Sequence, residues 1–545
     1  MNLTCPPPSC AETPGHANTS RPFSSATRAG VPIDAIEHPT RFARTAPERA
    51  AVVAGDTGVR LSYGELETRS NRVAHTLRRA GLRTGDHVAL VMANRNEFFE
   101  VVWGAMRSGL YVTPINWHLS ADEVQYVVND CGANALIVDA ACADAVAGLI
   151  DSTQAELRLA VGGPVPGFDS YEAALAAQPT DPVDDESEGN WMFYSSGTTG
   201  RPKGIKPQSV GAPLGAPTSF SGLVAGLFGG TEGSVYLSPA PLYHAAPAGW
   251  STTFQRLGAT VVIMERFDPE QCLALIERYR VTHVQFVPTH LIRLLKLPEE
   301  TRRSYDLSSL QVVVHAAAPC PPEVKRAAIE WLGPIVQEYY SGSEGVGFCV
   351  IGSEEALAHP GSVGRSLLGA AHIVDDDGHE VPHGEKGQVW FESPGRFEYH
   401  GDHEKTAAAF DDRGWSTLGD IGWLDDDGYL YLTDRVSNMI ISGGVNIYPR
   451  EVEDVLIGHP GVRDVVVIGV PDDEMGESVR AVVELAEPVA DEAGFGRELQ
   501  EFCRAHIARF KCPTSVVFLD QLPRLPTGKL AKRMLPDHVR GIGGD

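Results

Sequence analysis

Two rhythms of apolar and polar residues run along this chain, and from Leu61 onward they alternate. LSYGELETRSNRVAHTLRRAGL, beginning at Leu61, spaces its apolar residues for one face of a capped helix. After the turn at Thr84 to Asp86, the run HVALVMANR is apolar enough for a buried strand. The pattern then recurs: ANALIVDA reads as a strand, ATVVIMER precedes the helical PEQCLALIERYR, THVQFVP precedes LIRLLKL, and LQVVVHAAAP precedes PEVKRAAIEWLG. Strands followed by helices in this way predict α/β layers.

Beyond Gly364 the texture changes to short strands with DDDG turns at Asp375 to Gly378 and Asp425 to Gly428, which predicts a β-rich part. After Asp434, a helix (PREVEDVLIGHP), two strands (VRDVVVIGV and SVRAVVELA) and another helix (GRELQEFCRAHIARF) form a separate small unit. The expected fold is α/β, or α+β overall. A large N-terminal domain of layered α/β subdomains with a β-rich part covers residues 36–434, and a small C-terminal α/β domain covers 435–545. Residues 1–35, rich in Pro, Ser, Thr and Ala without periodicity, read as a flexible tail. No internal repeat of fixed period is visible.

Composition narrows the function. A chain of 545 residues is too long for one compact core. Its 71 acidic and 45 basic side chains leave a formal charge of -26, which argues against nucleic-acid or anionic-membrane binding, since both need basic surface. The 9 cysteines are scattered with no CxxC pair, so neither a zinc cluster nor a disulfide framework is indicated, and a reducing cytoplasm fits. No apolar run reaches the roughly 18 residues of a membrane helix. The opening MNLTCPPPSCAETPGHANTS lacks the basic-then-apolar pattern of an export signal. A cytoplasmic protein without a membrane span is expected.

The strongest local signal is YSSGTTGRPKG, Tyr194 to Gly204. Gly197, Gly200 and Gly204 let backbone N–H groups turn toward an anion, Ser195, Ser196, Thr198 and Thr199 add hydroxyl donors, and Lys203 adds positive charge. Phosphate is the ligand this set suits. The common nucleotide loop needs Lys followed by Ser or Thr at a helix start, whereas Pro202 and Gly204 bracket this lysine, so a different ATP fold is implied. Gly, Ser and Thr alone would equally suit a polar linker; the full eleven-residue string favours phosphate.

With this string and several further motifs in the same order, from about Leu61 to Leu535, the chain resembles the adenylate-forming superfamily of acyl- and aryl-CoA synthetases, luciferases and peptide-synthetase adenylation domains. The resemblance implies that Thr198, Thr199 and the neighbouring backbone hold the β- and γ-phosphates of ATP. In EYYSGSEG, Tyr340 would stack on adenine, Ser343 would touch the α-phosphate and Glu344 would hold Mg²⁺, while Ala317 and Ala318 of VVHAAAP would lie against the base. In STLGDIG, Asp420 would take both ribose hydroxyls, with Arg435 as a second ribose contact. Leu418 stands where the family usually has Thr, and Thr417 lies one place earlier. Lys529 of PRLPTGKL would neutralise charge building on the α-phosphate during adenylation.

The same resemblance implies that the small domain is mobile about a hinge at 435–438. Ser437 occupies the hinge position usually held by Asp or Lys, and the Gly443–Gly444 turn would lie beside the pantetheine arm of coenzyme A. In PLYHAAP, His244 would gate the carboxylate site, and Ala245, Ala316 and Gly342 would line the acid and thiol end. Tyr243, His244, Ala245 and Ala246 offer no carboxylate for a substrate ammonium, so an acid without an α-amino group is expected. HGDH at His400 to His403 has no third ligand nearby and reads as a surface turn.

The expected reaction is ATP-dependent: carboxylate plus ATP gives acyl-AMP and pyrophosphate, and the acyl group then passes to coenzyme A, with a medium- or long-chain fatty acid as the leading substrate. An aryl or steroid-like acid, transfer to a carrier protein, and a non-catalytic nucleotide-binding regulator are the alternatives. Self-association stays open.

Overall fold

The computed structural model describes residues 36–149, 152–195, 202–207, 210–392, 396–435, 439–442, 445–472, 475–524, 530 and 532–541. The expected tail, residues 1–35, lies outside them. The α/β layering read from the sequence is present, as a large N-terminal body of several sheets and a small C-terminal domain.

The first capped helix is Tyr63–Arg79. Ser62 Oγ accepts from Glu65 N at 3.2 Å, and Glu65 Oε2 accepts from Ser62 N at 2.8 Å, so two of the open N–H groups at the helix start are met reciprocally. Leu66, Val73 and Leu77 form its buried face. Against that face packs Asn96–Met106, a helix buried almost all round. Gly104 permits the close approach, because a Cβ there would lie 2.4 Å from Val73 Cβ.

The strand His87–Val91 sits inside a parallel six-stranded sheet, between Ala133–Asp139 and Tyr111–Pro114. Its uniform apolar run matches burial on both faces. A second, 13-stranded sheet forms the centre of the large body. Its parallel part runs through Ala50–Ala54, Thr260–Ile263, Val235–Ser238, His283–Phe286, Val312–His315 and Val336–Tyr340. The next strand, Phe348–Ile351, pairs antiparallel, and antiparallel pairing continues through Ser362–Leu368, Leu430–Arg435, Trp415–Leu424, Gly387–Glu392 and Ala371–Val374. The β-rich part is thus no separate layer. It starts before Gly364 and extends the parallel sheet edge to edge, which the turn signals alone could not reveal.

Leu430–Arg435 is the last strand along the chain to join this sheet, and Ile440–Ser442 already belongs to the five-stranded sheet of the small domain. Helix Pro449–Leu456 faces the large body: Lys386 Nζ lies 2.6 Å from Glu451 Oε1, and Arg450 Nη2 donates to Cys320 O at 3.4 Å. Lys296 Nζ of the large body donates to Arg463 O at 2.9 Å. Among the described residues no helix is long and apolar enough to cross a membrane.

A buried ionic knot fixes the N-terminal layer. Arg107, with 0% exposure, donates to Glu67 through Nη1 and Nη2 at 3.1 and 2.9 Å, to Glu186 through Nε at 2.8 Å, and to Thr40 and Ser70 hydroxyls. It therefore ties helix Pro39–Thr45, helix Tyr63–Arg79 and the chain at Glu186 together. Removing the guanidinium would leave two carboxylates facing each other in a dry site. Arg107→Ala is expected to destabilise the large body by about 3–5 kcal/mol, read as a shift of its denaturant midpoint.

Candidate active site

In open α/β sheets the crevice beyond the carboxyl ends of parallel strands is where ligands collect. Two such ends lie side by side here: His315 registers with Glu338, and the chain continues past them into Ala316–Ala318 and Tyr340–Glu344. Ala316 is buried, Ala317 is exposed and Ala318 is half-buried. Ala317 has φ of +72°, a left-handed conformation that costs a non-glycine residue on the order of 1 kcal/mol and is held only where its surroundings dictate it.

Tyr340 is half-buried, and its hydroxyl donates to Asp420 Oδ2 at 2.5 Å across 80 residues of sequence. Asp420 is 6% exposed and sits opposite Arg435 in the antiparallel register. The structure therefore brings together two residues that the sequence placed in separate motifs. Thr417 turns away: its Oγ1 donates to Val389 O at 2.7 Å, inside the sheet. Leu418, at the position where Thr was expected, instead packs over Gly342, where a Cβ would come within 2.6 Å of Leu418 Cδ2 and 2.7 Å of Glu344 Oε2. Ser343 is exposed, and Glu344 is half-buried with Oε1 accepting from Tyr399 Oη at 2.9 Å.

Lys203 opens the strand Lys203–Pro207, which pairs with Phe193–Ser195 on one side and Phe397–Tyr399 on the other. Its Nζ lies 2.5 Å from Asp402 Oδ2, and that bond is the first reason the Asp402 carboxyl sits below its ordinary range. HGDH is thus a working corner: Asp402 caps helix His403–Ala408 and holds Lys203. Ser196, Gly197, Thr198, Thr199, Gly200, Ser437, Gly443, Gly444 and Lys529 lie outside the described residues, and of Ser195 and Arg435 only the strand backbone is described.

Below the strand ends lies a charged cluster that the sequence did not flag. Lys325, Glu338 and His315 are all buried: Lys325 ion-pairs with Glu338 and donates to Ser362 O at 3.0 Å, and His315 Nδ1 lies 3.9 Å from Glu338 Oε1. Burial, chiefly, pushes the His315 imidazole down to about 4, so it is neutral near pH 7. Lys325 thereby ties helix Pro322–Leu332 to strand Val336–Tyr340 and, through Ser362 O, to strand Ser362–Leu368, beneath the Tyr340–Glu344 turn.

His244 is the N-cap residue of helix Ala245–Arg256 and stacks obliquely on Tyr243, ring centroids 4.5 Å apart. Asn94 clamps the loop that carries it: Nδ2 donates to Ala240 O at 3.0 Å and Met264 O at 2.8 Å, and Oδ1 accepts from Leu242 N at 2.8 Å. No motif marked Asn94; its one signal was a turn-prone residue just after a buried strand. Along the helix, Ala245, Ala246 and Gly249 are half-exposed, and a Cβ on Gly249 would meet only Phe220, at 3.9 Å. Behind them Trp250 is buried, donating from Nε1 to Tyr339 Oη at 3.2 Å. The described cysteines are buried away from solvent, and burial pushes the Cys131 and Cys320 thiols up to about 12, which leaves them without nucleophilic thiolate.

The geometry agrees with what comparison with known proteins finds. Residues 40–399 match the family model described as AMP-binding enzyme, and residues 451–529 match the AMP-binding enzyme C-terminal domain. The chain is 34% identical over 504 residues to long-chain-fatty-acid–CoA ligase FadD13 of Mycobacterium tuberculosis, covering 90% of this chain and 96% of that one. It is 36% identical over 499 residues to feruloyl-CoA synthase of an Amycolatopsis species, covering 91% and 96%. The solved structure of ATP-bound MatB from Rhodopseudomonas palustris superposes with a TM-score of 0.78 at 28% identity, over 93% of this chain and 99% of that one. The chain belongs to the AMP-binding enzyme family, the adenylate-forming superfamily. Within it, the protein is an AMP-forming ligase.

The crowding at Gly342 gives a test of the site. The three atoms nearest a methyl there are the movable ends of Leu418 and Glu344, so Gly342→Ala is expected to change stability by less than about 1 kcal/mol, yet to displace one of those side chains. Affinity for AMP, measured calorimetrically, should fall several-fold while the unfolding midpoint stays nearly fixed.

Proposed function

We propose that this AMP-forming acid–CoA ligase activates a medium- or long-chain aliphatic carboxylic acid and transfers it to coenzyme A. The observation that carries the nucleotide half of this reading is the Tyr340–Asp420 hydrogen bond, which sets an aromatic face and a carboxylate at one strand-end crevice. Adenine stacks on Tyr340 against Ala317 and Ala318, and Asp420 takes the ribose hydroxyls. Ser343 and the loop Ser195–Gly200 meet the phosphates, with Lys203 adding positive charge, and Arg435 makes a second ribose contact.

Glu344 is the side chain that would hold a magnesium ion, one carboxylate being what a phosphate-bound ion of this kind typically takes from protein. Bound there, the ion would neutralise charge on the phosphates. The acid, admitted past His244, presents its carboxylate oxygen to the α-phosphorus. A new P–O bond forms as the bond to pyrophosphate breaks, and Lys529 stabilises the added charge. The small domain then turns about Ser437, bringing Gly443–Gly444 beside the thiol arm. The thiolate attacks the acyl carbon and AMP leaves with the bonding electrons.

Two features support an apolar acid: the small residues Ala245, Ala246 and Gly249 beside the gate, and the 34% identity to a long-chain-fatty-acid–CoA ligase. A second reading rests on the wall behind them. Phe220, partly exposed beside Gly249, meets the buried Trp250 edge-on at 5.5 Å, and Trp250 is fixed by Tyr339, so Phe220 offers a held aromatic ring that suits a planar aryl acid.

Pyrophosphate release across fatty, cinnamic, benzoic and steroid-like acids, with and without coenzyme A, decides between them. The expected outcome is strongest release with an aliphatic acid, acceleration by coenzyme A with an acyl-CoA product, and a loss of roughly a hundredfold or more in Lys529→Ala. A preference for cinnamic or benzoic acids would establish the aryl reading. Release indifferent to coenzyme A would point to a carrier-protein acceptor, and silence with every acid would refute the ligase mechanism.

A further inference from the structure

Tyr399 lies outside every motif that pointed to the nucleotide, yet it touches the carboxylate expected to hold the metal. Its hydroxyl donates to Glu344 Oε1 at 2.9 Å from 55 residues away. The ring is buried, with 6% exposure, and meets Phe397 edge-on at 5.2 Å. Its backbone is equally fixed: Tyr399 registers with Ile205 on the strand that leaves the phosphate loop, its N–H donates to Thr406 Oγ1 at 3.0 Å, and His400 N donates to Gly204 O at 2.8 Å. Lys203 and Asp402 clamp the same corner.

We propose that Tyr399 is a positioning residue for the metal carboxylate, locking Glu344 in one rotamer and tying it to the strand that exits the phosphate loop. The inference rests on the reading of Glu344 as the metal-holding side chain. A carboxylate on a turn has free rotation about three bonds and would sample several directions. A hydroxyl donating to Oε1 selects one of them and leaves Oε2 to serve the ion. Lys405 strengthens the arrangement, because its Nζ stands 4.1 Å from the Tyr399 ring centroid, and a cation over the ring makes the phenol a better donor. The tyrosine itself touches neither nucleotide nor metal. It carries geometry from one phosphate-facing element, the strand starting at Lys203, to the other, the Glu344 turn.

The test is ATP binding followed by calorimetry over a series of Mg²⁺ concentrations, without any acid, for the wild type, Tyr399→Phe, Glu344→Gln and the double variant. Tyr399→Phe keeps the ring and its packing, and its unfolding midpoint should match the wild type. The half-saturating Mg²⁺ concentration is expected to rise about tenfold in Tyr399→Phe, with ATP affinity at saturating Mg²⁺ little changed. The double variant should be no worse than Glu344→Gln alone, since a residue acting through Glu344 has nothing left to act on. Unchanged metal dependence in Tyr399→Phe, or additive losses in the double variant, would overturn the positioning role while leaving Glu344 in place. Wild-type metal dependence in Glu344→Gln would remove the reading of Glu344 itself, and the proposal with it.

Discussion

The nucleotide site depends on a reversal of strand direction. From Ala50–Ala54 to Val336–Tyr340 the large sheet is parallel, so the carboxyl ends of those strands align along one edge; at Phe348–Ile351 pairing turns antiparallel. After that turn each neighbour pairs antiparallel, so Trp415–Leu424, four pairings on, again runs in the sense of the parallel strands and brings Asp420 to the hydroxyl of Tyr340. A sheet parallel throughout would need a crossover for each strand, and its polar ends would emerge in step. The mixed sheet lets one turn supply the aromatic face and a distant hairpin supply the carboxylate.

This arrangement also explains the buried charges beneath it. His315 and Glu338 stand near the ends of their strands, just before the crevice, and Lys325 reaches Glu338 from helix Pro322–Leu332. A paired lysine and carboxylate in a dry site contribute little net stability against apolar residues of the same size. The pair does fix that helix against strand Val336–Tyr340, since breaking either partner strands the other. Arg107 does the same for the N-terminal layer with Glu67 and Glu186. Both knots hold a register where apolar packing alone tolerates sliding.

Much of this was legible in the sequence, for identifiable reasons. Helix Tyr63–Arg79 announced itself through Ser62, Glu65 and its apolar spacing, because those signals act within one turn. Tyr340, Glu344 and Asp420 were singled out by motifs that resemble those of the adenylate-forming superfamily, and Lys203 by a string whose residue types suit phosphate. Continuity of the parallel and antiparallel strands was not readable, since pairing between strands leaves no mark on either strand alone. Asn94, Tyr399 and Asp402 were missed for the same reason: each works through a partner tens of residues away or more, as in the bonds from Asn94 to Ala240 and from Tyr399 to Glu344. Thr417 was considered for its hydroxyl, and only the bond to Val389 O shows where that hydroxyl is spent.

The contact between the large body and the small domain has its own consequence. Glu451 is shared between Lys386 of the large body and Lys511 of the small domain, and the neighbouring links are single bonds to carbonyl oxygens. Exposed ion pairs of this kind are each worth about 1 kcal/mol or less and weaken as salt rises. An apolar seam would have welded the two parts. Among the described residues the named links are instead a catch of partly hydrated charges, whose hold loosens as salt rises. Because Glu451 has a lysine on each side of the boundary, its carboxylate keeps Lys511 beside it within its own domain, and the hold across the boundary falls to Lys386.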